Sequence, residues 1–80
     1  MEVGSIVFVK SGMGILQTKG NNPFWGYQES LENGWPEVAI LDKRGKIYNI
    51  QTIDKMKAYG IIFDDGTIGH RIRHEYVSLG

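Results

Sequence analysis

Two histidines and two adjacent aspartates are the residues in this sequence whose spacing could support metal binding or catalysis. Four positions separate His70 from His74, which suits two ligands on a helix but spans about 13 Å on a strand, too far for one metal ion. Asp64 and Asp65 are a candidate acid–base pair, but they precede Gly66 in a four-residue turn, where aspartate bonds its own backbone. We therefore expect no catalytic residue, no metal site and no cofactor.

Aromatic residues concentrate in an irregular stretch at about 19–36. They are Phe24, Trp25, Tyr27 and Trp35. Exposed Trp and Tyr side chains give a partner rigid contact area or stack on bases, and the nearby Glu29 and Glu32 would repel nucleic acid. The cluster predicts a protein-binding surface if it is exposed. The alternative is that two of the four rings plug one end of the core.

Basic residues concentrate in the second half of the chain. Residues 1–42 carry two basic and five acidic side chains, whereas residues 43–80 carry seven basic and four acidic ones. The nucleic-acid-binding candidates are Lys43, Arg44, Lys46, Arg71 and Arg73. If they converge they can contact a few phosphates, and if they do not they form an ordinary solvated face. A formal net charge of zero excludes polyanion binding over the whole surface.

The composition favours β-strands as the elements that hold these residues. Ten Ile and five Val stand against four Leu and two Ala, and β-branched side chains suit a pleated sheet better than a helix. The 80 residues predict a single domain over 1–80, and the absence of cysteine excludes disulfides and thiolate ligands. Without a long apolar run or a signal-peptide pattern, we expect a cytoplasmic protein and no membrane contact.

The first half predicts two strands followed by the irregular stretch. Residues 3–10 alternate in a way that predicts a strand with two covered faces, residues 11–14 predict a turn with two glycines, and residues 15–18 predict a short return strand. Within the irregular stretch, a helical turn over 27–33 and a hairpin that turns at 33–34 both fit the pattern.

The second half predicts a meander. A three-residue loop at 43–45 would pair Ile40 with Tyr48 and Val38 with Ile50, which puts these four apolar residues on one face.

A short crossing at 52–57 leads to a second predicted hairpin. Its predicted pairs are Phe63 with Ile68, Ile61 with His70, and Tyr59 with Ile72, all on the inner face. The outer face would then carry Ala58, Gly60, Ile62, Gly69, Arg71 and Arg73. The tail at 74–79 predicts a tight turn and a closing strand.

Together these elements predict an all-β, small, partly open barrel of five to six antiparallel strands with a long irregular loop at about 19–36. The segments 4–9, 61–66 and 76–79 resemble the SH3-like barrel group, which includes SH3, Tudor and KOW-type domains. The segment 12–15 is similar to the Tudor-like module of bacterial transcription regulators that bind RNA polymerase. The chain lacks the Ala-Leu-Tyr-Asp-Tyr start and the paired tryptophans of true SH3 domains.

The resemblance implies a binding module, because few members of this group are enzymes. Our leading hypothesis is a non-enzymatic adaptor that binds a protein partner through Phe24, Trp25, Tyr27 and Trp35. The alternative is a small barrel that contacts nucleic acid, or a regulatory barrel associated with RNA polymerase, through the basic second half. A free edge strand can also pair with its own copy, so the sequence leaves the oligomeric state open.

Overall fold

A computed structural model describes residues 1–17 and 37–80, most of which are in β-strands. The strands are β1 (Ile6–Gln17), β2 (Val38–Ile53), β3 (Met56–Phe63), β4 (Ile68–Arg73) and β5 (Ser78–Leu79). A 3-10 turn at His74–Tyr76 precedes β5, which confirms the predicted tail. The predicted loop at 19–36, with its two alternative substructures, lies outside the described residues.

All five strands belong to one antiparallel sheet in the order β2-β3-β4-β1-β5. An additional pairing of β1 with β2 makes β1 to β4 a ring of four strands. Curling a sheet in this way covers edges that would otherwise be open to pairing with another chain. The predicted all-β class and the small, partly open barrel are therefore confirmed.

The core fills the ring with β-branched and aromatic side chains. It consists of Val7, Val9, Ile40, Ile47, Tyr59, Ile61, Phe63, Ile72 and Val77. Burial of each such side chain contributes about 1.5–3 kcal/mol relative to exposure, so these residues account for the main stabilisation of a domain this small. Seven of the fifteen Ile and Val residues of the sequence thus lie in this core.

The predicted turn at 11–14 is wrong, because β1 continues through it as one strand. Gly12 and Gly14 pair with Ile40 and Val38 of β2. A side chain at Gly12 would lie 2.8 Å from Tyr76 Cβ, and one at Gly14 would lie 2.8 Å from a core isoleucine. These glycines therefore mark close packing within a strand and not a reversal of the chain.

The predicted loop at 43–45 is also wrong, because β2 runs without interruption through these residues. Gly45 pairs with Val7 of β1 and with Phe63 of β3, so β2 passes from one neighbour to the other there. Its missing side chain permits this crossing, since a Cβ would lie 2.2 Å from the carbonyl oxygen of Ile62. The predicted pairs of Ile40 and Val38 with Tyr48 and Ile50 therefore do not form.

The predicted crossing at 52–57 is a tight hairpin between β2 and β3. Ile53 pairs with Met56, which leaves Asp54 and Lys55 as a two-residue loop. Both loop residues are left-handed, with φ of 50° and 67°. Two left-handed residues characterise a type I′ turn, whose twist matches that of the flanking strands. The sequence pattern did not predict this hairpin because neither of its two left-handed residues is a glycine.

The predicted hairpin between β3 and β4 is present, and its Tyr59–Ile72 pair is confirmed. The other two predicted pairs are wrong. Ile61 lies opposite Gly69 and not His70, and it is Ile62, not Phe63, that pairs with Ile68.

A β-bulge in β4 explains this shift of register. Arg71 has a φ of 60°, and the strand carries an extra residue where Gly60 faces it on β3. Because strand side chains alternate between faces, a one-residue slip exchanges them. Gly69 therefore faces the core, where a Cβ would lie 2.7 Å from the Phe63 ring, and His70 lies on the outer face.

None of the segments that the structure describes forms a helix long and apolar enough to cross a membrane.

We expect Gly45→Ala to be strongly destabilising, because the added Cβ meets backbone atoms of β3 that cannot rotate away. The loss should be about 3 kcal/mol, the upper end for overpacking, which lowers the melting temperature of a domain this size by about 15 °C. Gly80→Ala is the control, since its Cβ would come no closer than 3.2 Å to any neighbour. Thermal unfolding of both variants followed by circular dichroism measures the difference. Equal melting temperatures would show that β2 and β3 do not approach closely at Gly45.

Candidate functional site

The predicted aromatic surface, formed by Phe24, Trp25, Tyr27 and Trp35, lies outside the described residues and stays a prediction. The predicted basic residues all lie within them. The structure also shows a surface that the sequence analysis did not predict. It lies on the outer face, where cross-strand pairing places Ile6, Lys46, Ile62 and Ile68 side by side.

The structure separates the basic candidates into two groups at opposite ends of β3. Lys43 and Arg44 adjoin Gly45, which pairs with Phe63 at the end of β3. Arg73 pairs with Ala58 near the start of β3. Five residues of strand, or about 17 Å, separate these ends. The candidates therefore do not form a single continuous patch.

The first group lies beside acidic residues and is partly neutralised by them. Lys43 forms an ion pair with Asp65 and lies over the ring of Phe63, with its Nζ 5.7 Å from the ring centroid. A pocket of about 290 Å³ here is also lined by Asp42 and Asp64. With opposite charges so close together, this end of the barrel has little net attraction for phosphate.

Asp65 is engaged in holding the β3–β4 turn. Its Oδ1 accepts hydrogen bonds from the Thr67 amide at 2.9 Å and from the Thr67 hydroxyl. The hydrogen bond from Lys43, together with those from Thr67, lowers the pKa of Asp65 to about 2. An aspartate with such a low pKa is a poor proton carrier at neutral pH, which favours the turn role predicted for this residue over acid–base catalysis.

The second group lines a pocket that we call the hairpin pocket, where the β2–β3 hairpin meets β4. Lys57, Arg71 and Arg73 line it together with one acidic residue, Asp54. Its apolar wall is formed by Ile53, Met56 and Ala58, and its volume is about 200 Å³. The β-bulge at Arg71 and the two-residue turn before Met56 both lie at this pocket and shape it.

A hydrogen bond crosses the outer face between β2 and β4. The hydroxyl of Tyr48 lies 2.7 Å from His70 Nδ1, although β3 separates the two strands. Tyr48 occupies a bulge of β2, where pairing skips from Ile47 to Asn49. Its ring reaches His70 by lying across Gly60, where a Cβ would be only 2.6 Å from the ring. Two bulges and one glycine thus create this contact, and the regular strand pattern gave no sign of them.

Burial sets the protonation of this pair. His70 is only 2% exposed, and desolvation lowers its pKa below the ordinary 6.5. Burial raises the pKa of Tyr48 to about 12, so the phenol keeps its proton, and its hydroxyl shares a hydrogen bond with Nδ1 of the imidazole. His70 is therefore buried and neutral, but it lies on the outer face of the sheet and not on the predicted inner face.

His74 belongs to a different part of the molecule. Its Nδ1 lies 2.8 Å from the hydroxyl of Tyr59, which is a core residue. The two histidines are therefore each paired with a different tyrosine. Over residues 1–17 and 37–80, no three metal-ligating side chains come together. The described site geometry thus consists of the hairpin pocket, the pocket at Lys43, and the outer face of the sheet.

Comparison with known proteins gives no further guide, because no protein-family model, curated protein or solved structure matches this chain.

We expect Tyr48→Phe to destabilise the protein by about 1–2 kcal/mol, because it removes the hydroxyl that shares a hydrogen bond with the buried Nδ1 of His70. The matched variant is Tyr59→Phe, which removes the hydroxyl bonded to His74. His74 is exposed, so water can replace that bond and the loss should be smaller. Urea unfolding of both variants measures the two free energies. A larger loss for Tyr59→Phe would contradict this assignment.

We also expect stability to fall on acidification below pH 6.5. The folded-state pKa of His70 is lowered, so the unfolded chain binds a proton that the folded chain resists, and stability is present above 6.5 and lost below it. The free energy of unfolding at pH 7.5 and pH 5.5 measures the effect, above the range where ordinary carboxyl groups titrate.

His70→Gln should reduce this pH dependence, and His74→Gln should retain it. An unchanged pH dependence in folded His70→Gln would assign the effect to another group.

Proposed function

We propose that the protein is a non-enzymatic binding module that contacts a protein partner. The observation that carries this proposal is a row of apolar side chains on the outer face of the barrel. We call it the outer row, and it consists of Ile6, Lys46, Ile62 and Ile68. The titratable residues that were candidates for catalysis support a binding role, because Asp65, His70 and His74 are engaged in hydrogen bonds within the fold.

The outer row crosses all four strands of the ring and follows its curved surface. Ile6 pairs with Lys46, Lys46 with Ile62, and Ile62 with Ile68. Their sequence neighbours Val7, Ile47, Ile61 and Gly69 are buried, so the row itself points outward. Ile6 is 39% exposed and Ile62 is 48% exposed. Across three strand spacings the row extends for about 14 Å.

The exposure of isoleucines on the outer face of the barrel is unusual. An antiparallel sheet with one solvated face normally alternates apolar and polar side chains, with the polar ones outward. Covering the exposed half of an isoleucine contributes about 1 kcal/mol, so Ile6, Ile62 and Ile68 together provide a modest driving force for association. Exposed isoleucines grouped around one lysine are consistent with a surface that binds another protein.

Lys46 defines the chemistry of the partner. It lies between Ile6 and Ile62, and it is the charged member of the described row. A partner that covers the isoleucines also covers the stem of Lys46, and its ammonium group then needs a carboxylate or carbonyl oxygen. The outer row therefore fits an apolar protein segment that carries an acidic side chain near its centre.

The aromatic residues of the irregular stretch offer a second surface for the same function. The sequence favours Trp25 as an anchor, since tryptophan is enriched where binding energy concentrates. This part of the proposal rests on the sequence alone. Trp25→Ala separates the two surfaces, because loss of partner binding with unchanged stability would place the contact on the aromatic stretch.

We expect Ile62→Lys to remove partner binding while leaving the melting temperature within a few degrees of wild type. The control is Met56→Lys, because Met56 has the same 48% exposure but lies at the far end of β3. Partners captured from the native host by the wild type are identified by mass spectrometry, purified and titrated by calorimetry against the three proteins. The Ile62→Lys protein should bind at least tenfold more weakly than the Met56→Lys protein.

Equal affinities for the two variants would contradict a contact through the outer row. Sedimentation of the wild type over a range of concentrations tests a related outcome. A dimer that Ile62→Lys dissociates would make the partner a second copy of this chain.

A further inference from the structure

We propose that the hairpin pocket binds the phosphodiester backbone of a single-stranded nucleic acid. The proposal concerns Lys57, Arg71 and Arg73, which lie at a different place from the outer row. It is independent of the protein partner, because neither surface shares a residue with the other.

Charge is the first reason. Of the described residues, Lys57, Arg71 and Arg73 line the hairpin pocket together with one carboxylate, that of Asp54. Lys55 lies in the turn immediately beside it. Lys55, Lys57 and Arg73 alone outnumber Asp54. At the other basic group, Lys43 forms an ion pair with Asp65, and Asp42 and Asp64 line the same pocket. Among the described residues, the hairpin pocket therefore has more positive than negative side chains although the whole chain is neutral, which is what an anion requires.

Shape is the second reason. At about 200 Å³ the hairpin pocket is smaller than the roughly 300–1,000 Å³ that small-molecule sites occupy. It holds one phosphate group with the atoms next to it, while the rest of the ligand lies across the neighbouring surface. Arginine suits this role, because its planar guanidinium donates two parallel hydrogen bonds to phosphate oxygens.

The placement of the cations favours a chain of phosphates over a single one. Arg71 and Arg73 lie on β4, Lys57 lies on the neighbouring β3, and Lys55 lies beyond it in the turn. Cations spread along two strands match a repeating anion better than the single phosphate of a modified peptide. The described wall is aliphatic, formed by Ile53, Met56 and Ala58, so the pocket offers backbone contacts with little base readout.

The fold keeps the pocket in shape without a ligand. Ala58 in its wall is only 2% exposed and pairs with Arg73 across the two strands. The type I′ turn at Asp54 and Lys55 fixes the approach of β2 to β3. The hairpin pocket is therefore built from strand backbone, and a bound phosphate does not have to order a loop.

The test is fluorescence anisotropy with a labelled oligothymidylate of 12 nucleotides, titrated with the protein between 50 and 200 mM salt. Three phosphate contacts on a single strand, from Lys55, Lys57 and Arg73, predict a slope of log Kobs against log salt of about −2. The double variant Lys57→Gln/Arg73→Gln should weaken binding about tenfold or more at 50 mM salt and reduce the slope to about −0.7. Thermal unfolding confirms that each variant is folded.

The matched control is Lys43→Gln/Arg44→Gln, which removes the same charge at the opposite end of β3 and should leave affinity and slope nearly unchanged. Equal weakening by the two double variants would overturn the proposal, because it would show attraction by overall charge. No binding by wild type at 50 mM salt would also overturn it. Tighter binding of a phosphoserine peptide than of the oligonucleotide would assign the pocket to a phosphorylated protein instead.

Ile62→Lys keeps the two proposals apart. It adds a cation and should therefore not weaken oligonucleotide binding, whereas Lys57→Gln/Arg73→Gln should leave the captured protein partner bound.

Discussion

The close approach of three strands at Gly45 is the constraint on which the rest of the structure depends. Gly45 pairs with β1 on one side and β3 on the other, and a side chain there would overlap the backbone of β3. One long strand can therefore leave β1 and join β3 without a loop, which makes a ring from four strands. The outer row and the hairpin pocket are both consequences of the same crossing, since β2 runs through one of them and ends at the other.

The two surfaces differ in how regular the sheet is beneath them. Under the outer row, pairing is continuous, and alternation alone brings Ile6, Lys46 and Ile62 side by side. The hairpin pocket forms where pairing is interrupted, at the bulge of Arg71 and the two-residue turn. Bulges at sheet edges redirect side chains, and they frequently border functional sites. The continuous ladder thus presents a largely apolar outer row, and the interrupted one presents a charged recess.

The sequence predicts the class of fold because β-branched composition and apolar alternation act over many residues at once. It also predicts the β3–β4 hairpin and the Tyr59–Ile72 pair, where strand and turn signals agree. It misassigns glycines, because Gly12, Gly14 and Gly45 serve close packing and look the same as turn residues in a pattern. It misses the Tyr48–His70 contact, because that contact needs the extra residues at Tyr48 and Arg71, which the alternation of side chains does not reveal. The separation of the basic residues into two groups follows from the strand pairing, which places Gly45 opposite Phe63 and Arg73 opposite Ala58.

The pairing of β1 also has a kinetic consequence. β1 pairs with β2, β4 and β5, so Ile6 meets Lys46 and Val7 meets Leu79 near the other end of the chain. Contacts between residues so distant in sequence cost loop-closure entropy before they stabilise anything, and domains with such topology fold in milliseconds to seconds. During that time the apolar edge of β1 is open to other chains. Closing the ring is therefore the step that protects this protein from aggregation.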